Sequence, residues 1–147
     1  MSRYRTSIHS SARPSSAFDA LSRFDRAEEW DPGVEKGSML TAEPVRVGSR
    51  FRLVTRFAGR AVPLEYEVVE CRAPDRIVFR AETGFLRSID TISFAADPTG
   101  TVVVYDAVLD TKGIARLATP FLALAFRRIG DRAAAGLRAY LNAVPTS

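Results

Sequence analysis

The sequence predicts an α+β fold in which one long helix lies across an antiparallel sheet. Two observations carry that class. Residues 119–144, TPFLALAFRRIGDRAAAGLRAYLNAV, place their apolar side chains with a helical period. Between Val34 and Asp110 the period falls to two and is broken repeatedly by turn-forming residues. Consecutive hairpins make a meander, and a run of strands followed by a helix gives α+β rather than alternating α/β.

The helix sets the geometry. At 100° per residue, Phe121, Leu122, Ala125, Phe126, Ile129, Ala133, Gly136, Leu137, Tyr140 and Leu141 share one broad face. Arg127, Asp131 and Arg138 lie opposite, with Arg128 and Arg132 on a flank. Thr119 is placed to accept from the exposed first-turn amides, and Pro120 stands where a proline loses no hydrogen bond. Such a helix is roughly 40 Å long. Its apolar stripe needs a large partner, and the strands upstream are the only candidate.

The other elements follow in order. Tyr4 to Ser10 reads as a first strand. Ser11 to Ser16 interrupts it, and Ser15 or Ser16 is expected to cap a short helix running to Leu21 or Phe24. Arg26 to Trp30 reads as a second short helix, stopped by Asp31-Pro32-Gly33. Val34 to Glu43 is the next strand. Gly48 to Phe57 is clearer, with Phe51, Leu53, Thr55 and Phe57 alternating with Arg50, Arg52, Val54 and Arg56. A two-residue turn at Ala58-Gly59 sets Leu53 opposite Leu64, Arg52 opposite Glu65 and Arg50 opposite Glu67. Opposite charges then face each other on the outer side, worth about 0.2–1 kcal/mol per pair. The turn and the charges thus give the same register. Ala73-Pro74-Asp75 turns the chain again, and Ile77, Phe79 and Ala81 alternate with polar or outward residues. Arg87 to Ala96 and Thr101 to Asp110 flank the turn Asp97-Pro98-Thr99-Gly100. That hairpin places Ile92 opposite Tyr105, Phe94 opposite Val103 and Asp90 opposite Ala107.

The bulk numbers exclude several classes. A chain of 147 residues favours one domain spanning 1–147. With 46% hydrophobic and 26% charged residues it is globular rather than disordered. No run approaches the ~18 apolar residues of a membrane span, and MSRYRTSIHS lacks the apolar core of a secretory signal. Cys71 is the single cysteine, so neither a disulfide framework nor a cysteine-rich metal site forms within one chain. The expected location is the cytoplasm. The net charge of +4 rests almost wholly on arginine. Those arginines are dispersed and many face glutamates, so nucleic-acid binding is not the expectation.

Several stretches then resemble a known family. They are Glu28-Glu29-Trp30 ahead of a turn and Val47-Gly48-Ser49-Arg50-Phe51 opening a strand. Tyr66-Glu67-Val68-Val69-Glu70 and Ala73-Pro74-Asp75-Arg76-Ile77-Val78-Phe79 follow, then Gly100-Thr101-Val102-Val103-Val104-Tyr105 and the helix opened by Pro120. In this order they resemble the START/Bet v1-like superfamily, the polyketide cyclase/dehydrase and lipid-transport group also called SRPBCC. The resemblance covers essentially the whole chain. It implies a helix-grip fold: a curved seven-stranded antiparallel sheet around the long C-terminal helix, with two short helices after strand 1. It also implies a hydrophobic cavity between sheet and helix, and ligands such as lipids, sterols or polyketides. The group shares no catalytic signature, so no catalytic residue carries over.

The inward residues are Phe51, Leu53, Phe57, Tyr66, Phe79, Ile92, Phe94 and Tyr105 from the strands, with Phe121, Ala125 and Ile129 from the helix. They read equally as an ordinary core and as the wall of a pocket. The small residues Ala125, Ala133 and Gly136 leave room on the helix. Trp30, the only tryptophan, sits at the bend before the sheet and joins this ligand-binding set. Asp90 is a carboxylate on the apolar face. Unpaired there, it would hold its proton to higher pH and could act as an acid or base or fix a polar ligand group. The plainer alternatives are a pair with Arg128 or Arg132, or a slip of one residue that turns it to solvent. Tyr66 and Tyr105 could donate to a ligand, or be satisfied within the core. His9, the only histidine, has no nucleophile motif around it. No metal set, phosphate loop or cofactor motif is present in the sequence.

The expectation is a monomer or homodimer that holds a hydrophobic or aromatic small molecule, without stable membrane anchoring. The rival is an aromatase/cyclase or dehydrase-like enzyme using Asp90 and Tyr105 as acid and base. A protein-interaction module with a filled core is a further alternative.

Overall fold

The computed structural model describes residues 1–57, 59–113, 117 and 119–144, and the side chains of Phe57, Thr119, Phe121 and Leu122 lie outside that description. The expected inward roles of Phe57 and Phe121, and the cap at Thr119, therefore fall outside it.

The chain runs β1 (Ser2–Ser10), α1 (Pro14–Ser22), a 3₁₀ turn (Phe24–Glu29), β2 (Val34–Met39), β3 (Arg50–Phe57), β4 (Arg60–Arg72), β5 (Arg76–Glu82), β6 (Leu86–Asp97), β7 (Gly100–Thr111) and α2 (Thr119–Ala143). All seven strands form one curled antiparallel sheet in the order β1-β7-β6-β5-β4-β3-β2. Each hairpin joins neighbours, and β1 completes the sheet by pairing with β7. This is the helix-grip arrangement. No described helix is long and apolar enough to cross a membrane.

The registers read from turn chemistry are those observed. Leu53 faces Leu64, Arg52 faces Glu65 and Arg50 faces Glu67 across β3 and β4. Asp90 faces Ala107 and Ile92 faces Tyr105 across β6 and β7. The ion pairs do not run straight across, however. Arg50 reaches diagonally to Glu65 at 3.9 Å, and Arg56 crosses to Glu35 on β2 at 2.5 Å. Long exposed side chains choose among several carboxylates, and such pairs stabilise by less than about 1 kcal/mol.

Several boundaries differ from expectation; β1 begins at Ser2 rather than Tyr4, and β3 at Arg50 rather than Gly48. Helix α1 begins at Pro14, with Arg13 as its N-cap and no side-chain cap, so Ser15 and Ser16 lie inside the first turn. Proline at the first helical position needs no donor and pre-sets φ, which opens the helix without a serine. The second short helix is 3₁₀ and starts at Phe24, two residues early. Strand β2 ends at Met39 rather than Glu43, and its pairing slips between Val34 and Lys36.

The core is divided between two ends of the curled sheet. Phe24 stacks on Phe79 at 4.1 Å and meets Tyr66 edge-on at 5.1 Å. Phe18 meets Phe94 edge-on at 5.4 Å, and Phe51 meets Phe79 at 5.9 Å. Phe51, Phe79 and Ile92 are fully buried. The short helices thus fill one end with aromatic side chains, and α2 covers the other.

Candidate functional site

A cavity of about 100 Å³ lies between α2 and the concave face of the sheet. Strand alternation supplies its floor, Leu64 and Tyr66 from β4, Ser88 and Asp90 from β6, and Tyr105, Ala107 and Leu109 from β7. Tyr4 and Thr6 of β1 close one side, and Trp30, Asp31 and Gly33 the other. The roof is α2, through Phe126, Ile129, Gly130, Ala133, Ala134 and Leu137. Three small side chains in one turn and a half leave the gap that larger ones would fill. The cavity extends to Arg56, which is exposed, so it runs from the surface to buried tyrosines.

Among the described residues, one connected polar chain crosses this floor. The Tyr66 hydroxyl donates to Ser88 Oγ at 3.1 Å, and the Ser88 hydroxyl donates to Asp90 Oδ1 at 3.3 Å. The Tyr105 hydroxyl donates to Asp90 Oδ2. Both alternatives drawn from the sequence for Asp90 are corrected here. The residue is 8% exposed, so no register slip turns it to solvent, and neither Arg128 nor Arg132 reaches it, because both point outward. Burial raises its pKa from 3.8 to about 6, against the lowering effect of the two hydroxyl donors. Burial also raises Tyr66 and Tyr105, further helped by the charge of Asp90. Asp31 is likewise raised by burial, opposed by the hydrogen bond that Gly33 N–H donates to its Oδ1 at 2.8 Å.

The residues expected to line a pocket separate into two groups. Trp30, Tyr66, Asp90, Tyr105 and Ile129 are brought together around the cavity. Phe51, Leu53, Phe79, Ile92 and Phe94 are inward and buried, but lie outside the lining. The reason is packing: the aromatic side chains of α1 and the 3₁₀ turn occupy the space in front of much of this group. Ala125 is half-buried on α2 and outside the lining, while Phe126 lines it. Strand alternation assigns a face but not which end of a curled sheet is filled, so the sequence merged the two groups. It also missed Tyr4, Asp31 and Ser88. Period-two alternation marks Ser88 as the residue before Asp90 on the same face, which was the available signal.

Helix α2 is seated by close approach. The Tyr4 hydroxyl donates to Asp131 Oδ1 at 2.7 Å, and Ser10 Oγ–H donates to the Leu141 carbonyl at 3.1 Å. A Cβ at Gly130 would come within 2.4 Å of the Tyr4 ring. Gly130→Ala is therefore expected to push that ring aside and cost about 1 kcal/mol, since a side chain can yield. A thermal melt should fall by roughly 2–4 °C, and unchanged melting would show that Tyr4 moves freely.

The fold and the site can be set beside known proteins. The family model described as polyketide cyclase / dehydrase and lipid transport matches residues 1–142. Among curated proteins, no sequence matches this chain. A START superfamily protein from Mycobacterium smegmatis superposes with a TM-score of 0.76 at 14% identity, covering 95% of this chain and 96% of that one. A protein from Thermus thermophilus gives 0.76 at 19% identity, covering 95% of each. The di-domain ARO/CYC BexL of the BE-7585A biosynthetic pathway gives 0.72 at 18% identity, with 97% of this chain matching 50% of that one. At such identities the structures attest the fold alone. The family match spans nearly the whole sequence and agrees with that fold, so the chain belongs to the polyketide cyclase / dehydrase and lipid transport family.

Proposed function

We propose that this protein binds a small hydrophobic or aromatic molecule in the cavity beneath α2. The observation that supports the reading most directly is the cavity's construction: a largely apolar wall with a connected set of polar groups at its floor. Ligand sites are built in this way, from apolar surface that gives affinity and few polar groups that give orientation. Size narrows the reading. A volume of about 100 Å³ lies below the ~300–1,000 Å³ of drug-sized sites. A one-ring molecule fits this form, and a lipid, sterol or polyketide chain enters only if α2 moves outward. The reading places the protein in the cytoplasm, where a lone thiol such as Cys71 stays reduced.

Trp30 lines the cavity and is the only tryptophan, so its fluorescence reports on occupancy. Toluene is expected to change Trp30 emission saturably. At tenfold excess over its Kd it should add about 1.4 kcal/mol to stability, or roughly 3–6 °C in Tm. No emission change and no shift with toluene or naphthalene would reject the reading in favour of a filled interaction module.

A second reading is supported by the hydroxyl–carboxylate chain Tyr66–Ser88–Asp90–Tyr105. A carboxyl held near pH 6 beside a tyrosine hydroxyl has the proton inventory of a general acid/base pair. That would suit cyclisation or dehydration of a polyketide-like substrate. Turnover abolished by Asp90→Asn would favour it, whereas binding without turnover leaves the carrier reading in place.

A further inference from the structure

We propose that the molecule held in this cavity carries an ammonium group, which Asp90 and Asp31 pair with while the surrounding aromatic rings enclose it. The inference rests on the binding reading above and names the chemistry of the ligand.

The charge balance of the cavity wall points this way. Among the described residues, three ionisable groups other than tyrosines line it, namely Asp31, Asp90 and Arg56. Arg56 is the one cation among them, and it is exposed and held by Glu35 at 2.5 Å. Among the described residues, no guanidinium or ammonium reaches Asp90 or Asp31. Asp90 receives neutral hydroxyls from Ser88 and Tyr105, and Asp31 receives a backbone amide from Gly33. Buried carboxylates are ordinarily compensated by a cation, because hydroxyl donors only partly replace lost hydration. Here the buried Asp90 and the half-buried Asp31 share one largely apolar space, and the repulsion from Asp31 adds to the burial that raises Asp90. A cation entering between them relieves both effects at once. An anionic ligand would meet two like charges, and a neutral one would leave them unchanged.

The rings favour the same occupant. Trp30 and Tyr105 meet edge-to-face at 5.6 Å in the cavity wall, and Tyr4 and Tyr66 also line it. Electron-rich faces of tryptophan and tyrosine attract a cation within about 6 Å of their centroids, more strongly where water is excluded.

The test uses three molecules of one shape and different charge, benzylammonium, benzyl alcohol and benzoate, with Trp30 emission as the readout at pH 7.5. Benzylammonium is expected to bind at least ten times more tightly than the alcohol, with benzoate weakest. Asp90→Asn should remove most of that preference, and Asp31→Asn should reduce it. The preference should also fade as pH drops through 6, where Asp90 takes a proton, with Asp31 and Arg56 the other charges facing the site. Equal or tighter binding of benzyl alcohol would overturn the ammonium assignment and leave the cavity reading standing. So would a preference that survives both substitutions. Benzoate binding best would overturn it and point to Arg56. No response to any of the three, with none to toluene, would overturn both readings together.

Discussion

Asp90→Asn is expected to make the protein more stable, by about 3 kcal/mol at pH 8. The figure follows from a carboxyl whose pKa rises from 3.8 to about 6 on folding. Between those values the folded chain holds a proton that the unfolded chain has released. The contribution of Asp90 is therefore most favourable below pH 4 and is lost as pH rises through 6. Above about pH 7 the folded protein bears the full cost of a buried carboxylate. Asparagine has the same shape. Its carbonyl can still accept from Tyr105, and its amide can donate to the rotatable Ser88 hydroxyl, but it has no charge to bury. Urea unfolding across a pH series would check this: the variant should match the wild type near pH 4 and exceed it progressively to pH 8. A variant less stable at pH 8, or a difference that does not change with pH, would refute the account. A side chain retained at such a cost is typical of a functional site, where stability is given up for chemistry or recognition.

The second large effect concerns the seat of α2. Gly136→Ala is expected to destabilise the protein by about 3 kcal/mol, the upper end of overpacking costs. A Cβ at this position would lie 1.9 Å from the Trp30 carbonyl oxygen. That oxygen belongs to backbone, at the end of the 3₁₀ turn that packs Phe24 into the core. It cannot swing aside as the Tyr4 ring can beside Gly130. The helix must lift instead, which separates Leu137 and Leu141, both buried, from the sheet. Denaturant unfolding should show the loss, and Trp30 emission should shift red as its surroundings open to water. Wild-type stability with unchanged emission would mean that α2 sits farther from Trp30.

These two positions also show what a linear sequence can convey. Turn residues and period-two alternation specified the strand registers, so Asp90 was legible as an inward carboxylate opposite Ala107. Helical periodicity put Gly136 on the packed face of α2. The use of each position was less accessible. Whether Phe51 and Phe79 face a cavity or a core depends on what stands in front of them, here Phe24 from a turn distant in sequence. Whether Asp90 pairs with an arginine depends on the rotation of α2, and a small error in phase moves Arg128 or Arg132 from pocket to solvent. The partners it has, Ser88 and Tyr105, follow from one strand's alternation and one hairpin's register. Local rules reached that far. Packing between distant segments, such as the contact of Trp30 with Gly136, has no local signature.

The sheet closes by joining its most distant strands. Residues Ser2 to Ser10 pair with Thr101 to Leu109, and the Arg3–Asp106 hydrogen bonds span 103 residues. Strands β3 to β7 can zip together through short hairpins, each with a small loop-closure cost, whereas β1 must wait for β7. Helix α2 rests on β1 through Tyr4 and Ser10, so it waits as well. The roof of the cavity is thus the last part to assemble and, by the same energetics, the first to come loose. Amide exchange should find β1 and α2 opening ahead of β3 to β6. A guest larger than the resting space could then be admitted through partial unfolding, with the hairpin meander left intact beneath it.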